Sequence, residues 1–155
     1  TEGAPEGCRV VLLRTGVVLG IGGGALDKML TFFKAGVGGP VGHGRQVMSW
    51  IHIDDMVEVV VAALGDERYV GPINGTAPNP VTNRVFSKAL GKALRRPALL
   101  PVPTLGLRAL FGEAAEVMVA SQRALPEALN ALGHVFRYPE LSEALAALFN
   151  RGPGD

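Results

Sequence analysis

The segment that runs from Gly42 to Asp55 concentrates the residue types that can do chemistry. Within it, His52 lies in a short predicted strand, Ser49 to Ile53, where alternation turns it away from the flanking isoleucines. An imidazole at this position can contact a substrate or act as a general acid. We favour a hydrogen-bonded structural role for His52 over either of these. Trp50 shares the face of His52, and we interpret it as a core residue rather than a stacking platform.

The acidic residues that close this segment predict the start of a helix. Asp55 followed by Glu58 has the form of a capping box, in which side chains bond to N–H groups at a helix start. We therefore assign Asp55 to capping rather than to catalysis. Only Glu58 interrupts the apolar run from Met56 to Leu64, so we expect protein to enclose this helix almost completely. Enclosed helices are typical of layered α/β folds.

Composition and spacing exclude several classes of function. The three histidines are far apart and Cys8 has no companion at ligand spacing, so we predict no metal site. No serine lies in a Gly-x-Ser-x-Gly elbow. The 15 basic and 14 acidic residues are scattered, which argues against nucleic-acid binding. No apolar run approaches the ~20 residues of a membrane helix. A single cysteine and no visible secretory signal indicate a reducing, cytoplasmic compartment.

The elements that position these residues alternate between strand and helix. We predict strands at Cys8–Leu13, Ser49–Ile53 and Ile73–Ala77, and helices at Ala25–Ala35 and around Val85–Leu94, the latter capped by Thr82 or Asn83. This rhythm indicates an α/β fold with a parallel sheet. Helices are also predicted at Leu105–Phe111 and Glu113–Ser121, from Pro126 to Gly133, and from Pro139 to Phe149. Residues 151–155 read as a frayed tail.

In order along the chain, several segments resemble the C-terminal half of an extended short-chain dehydrogenase/reductase, in the epimerase-like branch that ends in a small helical domain of unassigned function. The matching segments are Arg14–Gly20, Gly22–Ala25, Gly38–Pro40, Trp50–Ile53 with Asp55, Asn74–Pro78, Leu100–Pro103 and Gln122–Pro126. The resemblance implies the C-terminal portion of a Rossmann-like parallel sheet, without its dinucleotide-binding strands. It also implies that residues 1–97 form the substrate-side half of the Rossmann domain and residues 98–150 the small helical domain.

Two features of the family are missing from this sequence. No glycine-rich strand-to-helix turn precedes Cys8, and such a turn is what lets backbone N–H groups approach a pyrophosphate. Neither Tyr69 nor Tyr138 is followed four residues later by a lysine, so the family's Tyr-x-x-x-Lys pair is absent. We therefore expect no catalytic residues in this chain and no hydride transfer by it alone. The chain begins at Thr1, and we interpret it as a fragment or a split gene product.

The resemblance carries over a small set of site residues. Arg14, Thr15, Gly16 and Val17 match the end of the family's sixth strand, beside the nicotinamide of NADP or NAD. A strand-end ion pair is an equally good role for Arg14. Gly22 to Gly24 have the composition of an anion-binding loop, although we favour a plain connection.

Substrate contacts are expected in the glycine loop and the strand after it, at Arg45, Met48, Trp50 and His52. Sugar-nucleotide epimerases place an arginine on the substrate diphosphate where this chain has Met48. The loss of that bidentate donor weakens the case for a nucleotide-sugar substrate. Arg45 lies three residues earlier, in the glycine loop. It either replaces the missing arginine as a ligand of the substrate or is simply a solvated side chain.

Two functions fit these observations. In the first, the chain supplies the substrate-binding half of an NAD(P)-dependent epimerase or oxidoreductase and needs a separate cofactor-binding segment. In the second, it is a non-catalytic binding or regulatory module that self-associates or pairs with another chain through a free sheet edge. Cofactor binding only in the presence of the missing segment distinguishes the first from the second.

Overall fold

The computed structural model describes residues 6–98, 101–102 and 121–150. Strands and helices alternate through most of this part of the chain, which confirms the α/β prediction. The elements are β1 (Val11–Thr15), β2 (Val17–Leu19), α1 (Gly24–Lys34), β3 (Val47–Met48), β4 (Trp50–His52), α2 (Ile53–Gly65), β5 (Gly71–Gly75), β6 (Val81–Thr82), α3 (Asn83–Ala93), α4 (Glu127–Ala131) and α5 (Leu141–Asn150). The helix predicted at 105–111, all but the last residue of that predicted at 113–121, and the tail 151–155 lie outside the described residues.

Three strand pairs form the sheet structure. β1 pairs with β5 and β2 pairs with β4, both in parallel, which agrees with the predicted parallel sheet. β2 itself was not among the predicted strands. β3 and β6 form a short antiparallel pair that the sequence did not predict. The first strand begins at Val11 rather than at Cys8. Just before it, the Arg9 Nη1 donates to the carbonyl oxygens of Ala63 and Tyr69, each at 2.7 Å. Arg9 thereby satisfies a carbonyl in the last turn of α2 and one in the segment that follows the helix.

Two hydrophobic clusters hold the elements together. The larger one surrounds Trp50 and joins α1, α3 and α5, with Phe86, Leu90 and Leu145 among its buried members. The smaller one lies between α2, α4 and the β1–β5 pair. Since α5 shares a core with α1 and α3, the C-terminal helix packs directly on the α/β layers. The division into residues 1–97 and 98–150 remains a prediction.

Two predictions for α2 are wrong. The helix begins at Ile53, and its N-cap is His52, whose Nδ1 accepts a hydrogen bond from the Asp54 N–H at 3.1 Å. Asp55 therefore lies within the first turn, where its carboxylate bonds to a distant segment instead of capping. The helix is also not enclosed, because one side of it carries exposed apolar residues up to Leu64, whose side chain is 77% exposed.

The other predicted helix boundaries agree closely with the structure. Thr82 is the N-cap of α3, and its Oγ1 accepts from the Val85 N–H at 3.3 Å, which confirms one of the two caps proposed. Pro126 immediately precedes α4, and Gly133 follows it with a φ of 77°. No helix in the described ranges is long and apolar enough to cross a membrane.

Candidate functional site

The two parallel strand pairs meet at Gly16, where the chain leaves one pair and enters the other. The Gly16 N–H donates to the Gly75 carbonyl at 3.1 Å, and the next N–H, of Val17, donates to the Ser49 carbonyl at 2.8 Å. A Cβ on Gly16 would lie 2.8 Å from the Ser49 carbonyl oxygen and 3.0 Å from Cγ2 of Thr76. Only glycine fits between these neighbouring backbone segments. We call Gly16, Ser49 and Thr76 the strand junction.

The segment 121–125 lies across the strand junction. The Ser49 hydroxyl accepts from the Ala124 N–H at 2.9 Å, and its Oγ lies 3.0 Å from the Gln122 carbonyl oxygen. On the other side, Asn74 Nδ2 donates to the Leu125 carbonyl at 3.0 Å. Asn74 stands beside Arg14 in the β1–β5 register. The segment is thereby fixed where the β1–β5 pair ends and the β2–β4 pair begins. Open α/β sheets bind their ligands at the carboxyl ends of their strands, which here is the β1–β5 end of the junction.

The four residues predicted to contact a cofactor are split by the structure into two pairs. Arg14 and Thr15 are exposed at the carboxyl end of β1. Among the described residues, no hydrogen bond or ion pair occupies the Arg14 guanidinium, so the strand-end ion pair is not formed there. Gly16 and Val17 are half-buried and serve the strand junction through their backbones. Arg14 and Thr15 therefore present the polar side chains that a bound nucleotide requires, and the role of all four residues remains a prediction.

The predicted substrate residues also differ in accessibility. Arg45 is exposed on the glycine loop, which α3 anchors because the Asn83 Oδ1 accepts from the Val41 N–H at 2.7 Å. Met48 is buried, and its sulfur lies 3.2 Å from the Asn83 Nδ2 donor. An apolar thioether thus occupies this position inside the protein.

Trp50 and His52 are fully buried in the same region. The Trp50 Nε1 donates to the Asn79 carbonyl at 3.0 Å, and the His52 ring packs on Tyr138 with ring centroids 4.0 Å apart. His52 also caps α2, so its Nδ1 acts as an acceptor. Both side chains have structural partners, and their contact with a substrate remains a prediction.

Asp55 connects α2 to the C-terminal part of the chain. Its fully buried carboxylate accepts the backbone N–H groups of Arg137 and Tyr138, at 2.7 and 3.1 Å. The Arg137 side chain reaches back to Glu58 at 2.9 Å. Both acids of the predicted capping box therefore make tertiary contacts, and they hold Tyr138 against His52.

Sequence reasoning did not single out Arg123 as a site residue. It lies between Gln122 and Ala124, whose backbone N–H groups donate to the Val47 carbonyl at 3.2 Å and to the Ser49 hydroxyl. Its side chain is exposed on this fixed segment. Arg123 lies in one of the segments that carried the family resemblance, which is the signal that could have identified it.

The remaining charged side chains form no second candidate catalytic or metal site within the described ranges. No group of three potential ligands from histidine, cysteine and the acids could hold a metal ion there. The Arg68 side chain donates hydrogen bonds to Asp66 and lowers the pKa of that exposed carboxyl to about 2. This pair lies in the turn after α2, away from the strand junction in sequence.

Comparison with known proteins identifies the family of this chain. Residues 102–148 match a domain of unknown function (DUF1731). The chain is 48% identical over 145 residues to the Arabidopsis thaliana "Epimerase family protein SDR39U1 homolog, chloroplastic". The alignment covers 94% of this chain and 42% of the relative. It is 46% identical to the Mus musculus epimerase family protein SDR39U1, covering 90% of this chain and 48% of the relative. The chain belongs to the epimerase family of extended short-chain dehydrogenases/reductases.

Solved structures agree with this membership. The epimerase-family chain superposes on the human epimerase family protein SDR39U1 (isoform 2), solved with NADPH, with a TM-score of 0.86 and 40% identity, over 92% of this chain and 48% of the human one. It also matches the fold of Thermus thermophilus UDP-glucose 4-epimerase, solved with NAD, with a TM-score of 0.67 at 20% identity, over 93% of this chain and 46% of that one. The epimerase-family chain spans about half the length of the curated relatives it matches.

Proposed function

We propose that this epimerase-family chain forms the substrate-side half of a nicotinamide-dependent epimerase or oxidoreductase. The observation that carries the proposal is the strand junction at the carboxyl end of the parallel β1–β5 pair, with Arg14 and Thr15 exposed beside it. Parallel α/β sheets bind nucleotides at such edges. The human relative that superposes on most of this chain was solved with NADPH, which supports NADP over NAD as the cofactor.

In this proposal, Arg14 and Thr15 contact the cofactor, whose nicotinamide ring accepts or donates the hydride. An arginine suits this place because its guanidinium carries a permanent charge and several donors in one plane. Gly16 and Val17 contribute by shaping the edge, since their backbones are occupied by the strand junction.

The chain is expected to be inactive by itself. Hydride transfer in this family needs the Tyr-x-x-x-Lys pair, which is absent from this sequence. The complementary half of an epimerase-family protein must therefore supply the catalytic acid or base and the glycine-rich pyrophosphate turn. We use "complementary half" for the part of a relative that this chain does not match.

The substrate class follows from the cations that the structure leaves exposed. Met48 is buried and uncharged, so it cannot bind a diphosphate. Arg45 on the loop and Arg123 on the fixed segment 121–125 remain as exposed cations. We propose that they orient an anionic substrate, while Met48, Trp50 and His52 support the site from beneath. The exposed free thiol of Cys8 supports a reducing compartment such as the cytoplasm.

A chimera tests the cofactor role of Arg14. In this protein the 155-residue chain replaces the matching part of the human relative. We expect Arg14→Gln to weaken NADPH binding about 10-fold to 100-fold, because a charge-assisted hydrogen bond contributes roughly 1.5–3 kcal/mol. Arg96→Gln is the matched control, since Arg96 is another exposed arginine and follows α3. Equal affinities for the two variants would remove Arg14 from the cofactor site.

A further inference from the structure

Helix α3 carries a row of basic side chains along its exposed side. We call this row the α3 stripe, and all four of its members are exposed: Arg84, Lys88, Lys92 and Arg95. The first three follow one another at every fourth residue, a spacing that keeps side chains on one side of a helix. Arg95 comes just after the end of the helix, and the opposite side, which includes Phe86, is buried. The α3 stripe is therefore a fixed surface of one sign of charge.

Acidic side chains do not neutralise the α3 stripe within the described ranges. The sequence has no aspartate or glutamate from residue 68 to residue 112. The ion pairs found in the described part of the chain include no member of the stripe. The Arg84 Nη2 donates to the carbonyl oxygen of His43 at 3.0 Å, which is a contact with a neutral group. The four positive charges therefore face solvent without a described counter-charge.

Three features of the α3 stripe oppose the stability of the helix that carries it. Like charges four residues apart destabilise a helix. Arg84 places a cation in the first turn, where the helix dipole favours acids, and only Lys92 in the last turn is favoured by it. Arg95 has a φ of 54°, in the left-handed region where glycine is preferred after a helix. Because these positions weaken the fold locally, we interpret the stripe as a surface that serves another molecule.

The surroundings of the α3 stripe discriminate between anionic partners. A helix that lies on a membrane needs a broad apolar face, but the apolar side of α3 is buried and Val85 is its one exposed large apolar residue. Single-stranded nucleic acids stack on aromatic side chains, and the aromatic residue of α3, Phe86, is buried. A net charge of +1 gives no broad field for a duplex. An acidic protein helix requires none of these features.

We propose that the α3 stripe docks an acidic helix of a partner protein. Carboxylates on successive turns of such a helix are about 5–6 Å apart, which is also the spacing of the cations on α3. Lys88 and Lys92 pair with these carboxylates in the middle of the contact, and Arg84 and Arg95 extend it at the two ends. The inference goes beyond the proposed function, because no member of the stripe is assigned there to the cofactor or the substrate.

A designed peptide tests this contact on the 155-residue chain. The probe is a fluorescently labelled, alanine-based peptide of about 20 residues, long enough to be helical, with glutamates at every fourth position. A second peptide of the same composition has its glutamates distributed around the helix. Binding is followed by fluorescence anisotropy at low ionic strength, where exposed charges are least screened. The chain is compared with Lys88→Gln and Arg95→Gly, and with the matched control Lys28→Gln, which removes an exposed lysine from α1.

We expect tighter binding of the peptide with glutamates on one side, and an affinity that falls as salt is added. Lys88→Gln should weaken binding about 2-fold to 5-fold, the size expected for one exposed ion pair, and Lys28→Gln should leave it unchanged. Arg95→Gly should also weaken binding, but without lowering the midpoint of urea unfolding, because glycine accepts the left-handed backbone. A lower midpoint would mean that Arg95 supports the fold and not the contact.

Equal losses of affinity for Lys28→Gln and Lys88→Gln would overturn the proposal, since binding would then follow total charge rather than the stripe. Equal affinity for the two peptides would count against it as well, because the stripe would not recognise one side of a helix. If a labelled DNA oligonucleotide or phosphatidylserine vesicles bind the stripe more tightly than the peptide does, the partner belongs to another class and the proposal is wrong.

Discussion

Replacing Asp55 by asparagine should destabilise the protein far more than any local role at a helix start would. The carboxylate accepts two backbone N–H groups, of Arg137 and Tyr138, and it is fully buried. An asparagine amide has one accepting oxygen, so its NH₂ group would face one of the two donors. The variant loses one charge-assisted bond and weakens the other, which amounts to about 2–4 kcal/mol.

Glu58→Gln is the matched control for Asp55→Asn. It removes one negative charge from the same helix and breaks the contact to the Arg137 side chain, but this pair is exposed. Exposed ion pairs contribute only about 0–1 kcal/mol. The free energy of unfolding can be measured in urea through the fluorescence of Trp50, the single tryptophan, which is fully buried. If Asp55→Asn and Glu58→Gln lower the free energy of unfolding by the same amount, this account of the tertiary contact is refuted.

Three further predictions concern the strand junction and the turn after α2. Ser49→Ala should speed tryptic cleavage at Arg123 as the segment 121–125 loosens, whereas Ser142→Ala, at an exposed position, should not; mass spectrometry identifies the cut. Gly16→Ala should cost about 1–3 kcal/mol in urea unfolding, because its Cβ meets backbone atoms. The Asp66 carboxyl should titrate near 2 by NMR, and Arg68→Gln should return the pKa towards 3.8. Because folding lowers this pKa, its stabilising contribution is complete above about pH 4 and is lost as the pH falls towards 2.

Local signals predicted the parts of the fold whose partners are near in sequence. The Thr82 cap bonds to a residue three positions away, and Pro126 and Gly133 bracket a helix by their own backbone preferences. The apolar runs predicted three of the four parallel strands, although the first lies further along the chain than predicted, and β2 was missed. The β3–β6 pair was missed because two residues are too few to show alternation.

The errors and omissions at the site come from partners that are remote in sequence. Asp55 followed by Glu58 fits a capping box locally, but the N–H groups that Asp55 accepts lie 82 and 83 residues away. The Ser49 hydroxyl likewise meets a segment more than 70 residues later, so Arg123 gave no local sign of its position. The apolar run from Met56 to Leu64 showed that most of the α2 surface is apolar, but not which parts of that surface this chain covers.

The most direct test of the central claim is an NADPH titration by calorimetry on three samples: this chain, the complementary half of the human relative, and the two co-expressed. The proposed assembly of a cofactor site from two halves predicts saturable binding only in the third sample. Binding by this chain alone would contradict the claim, because no pyrophosphate turn is present in its sequence. A stable complex of the two halves that binds no NADPH would contradict it as well.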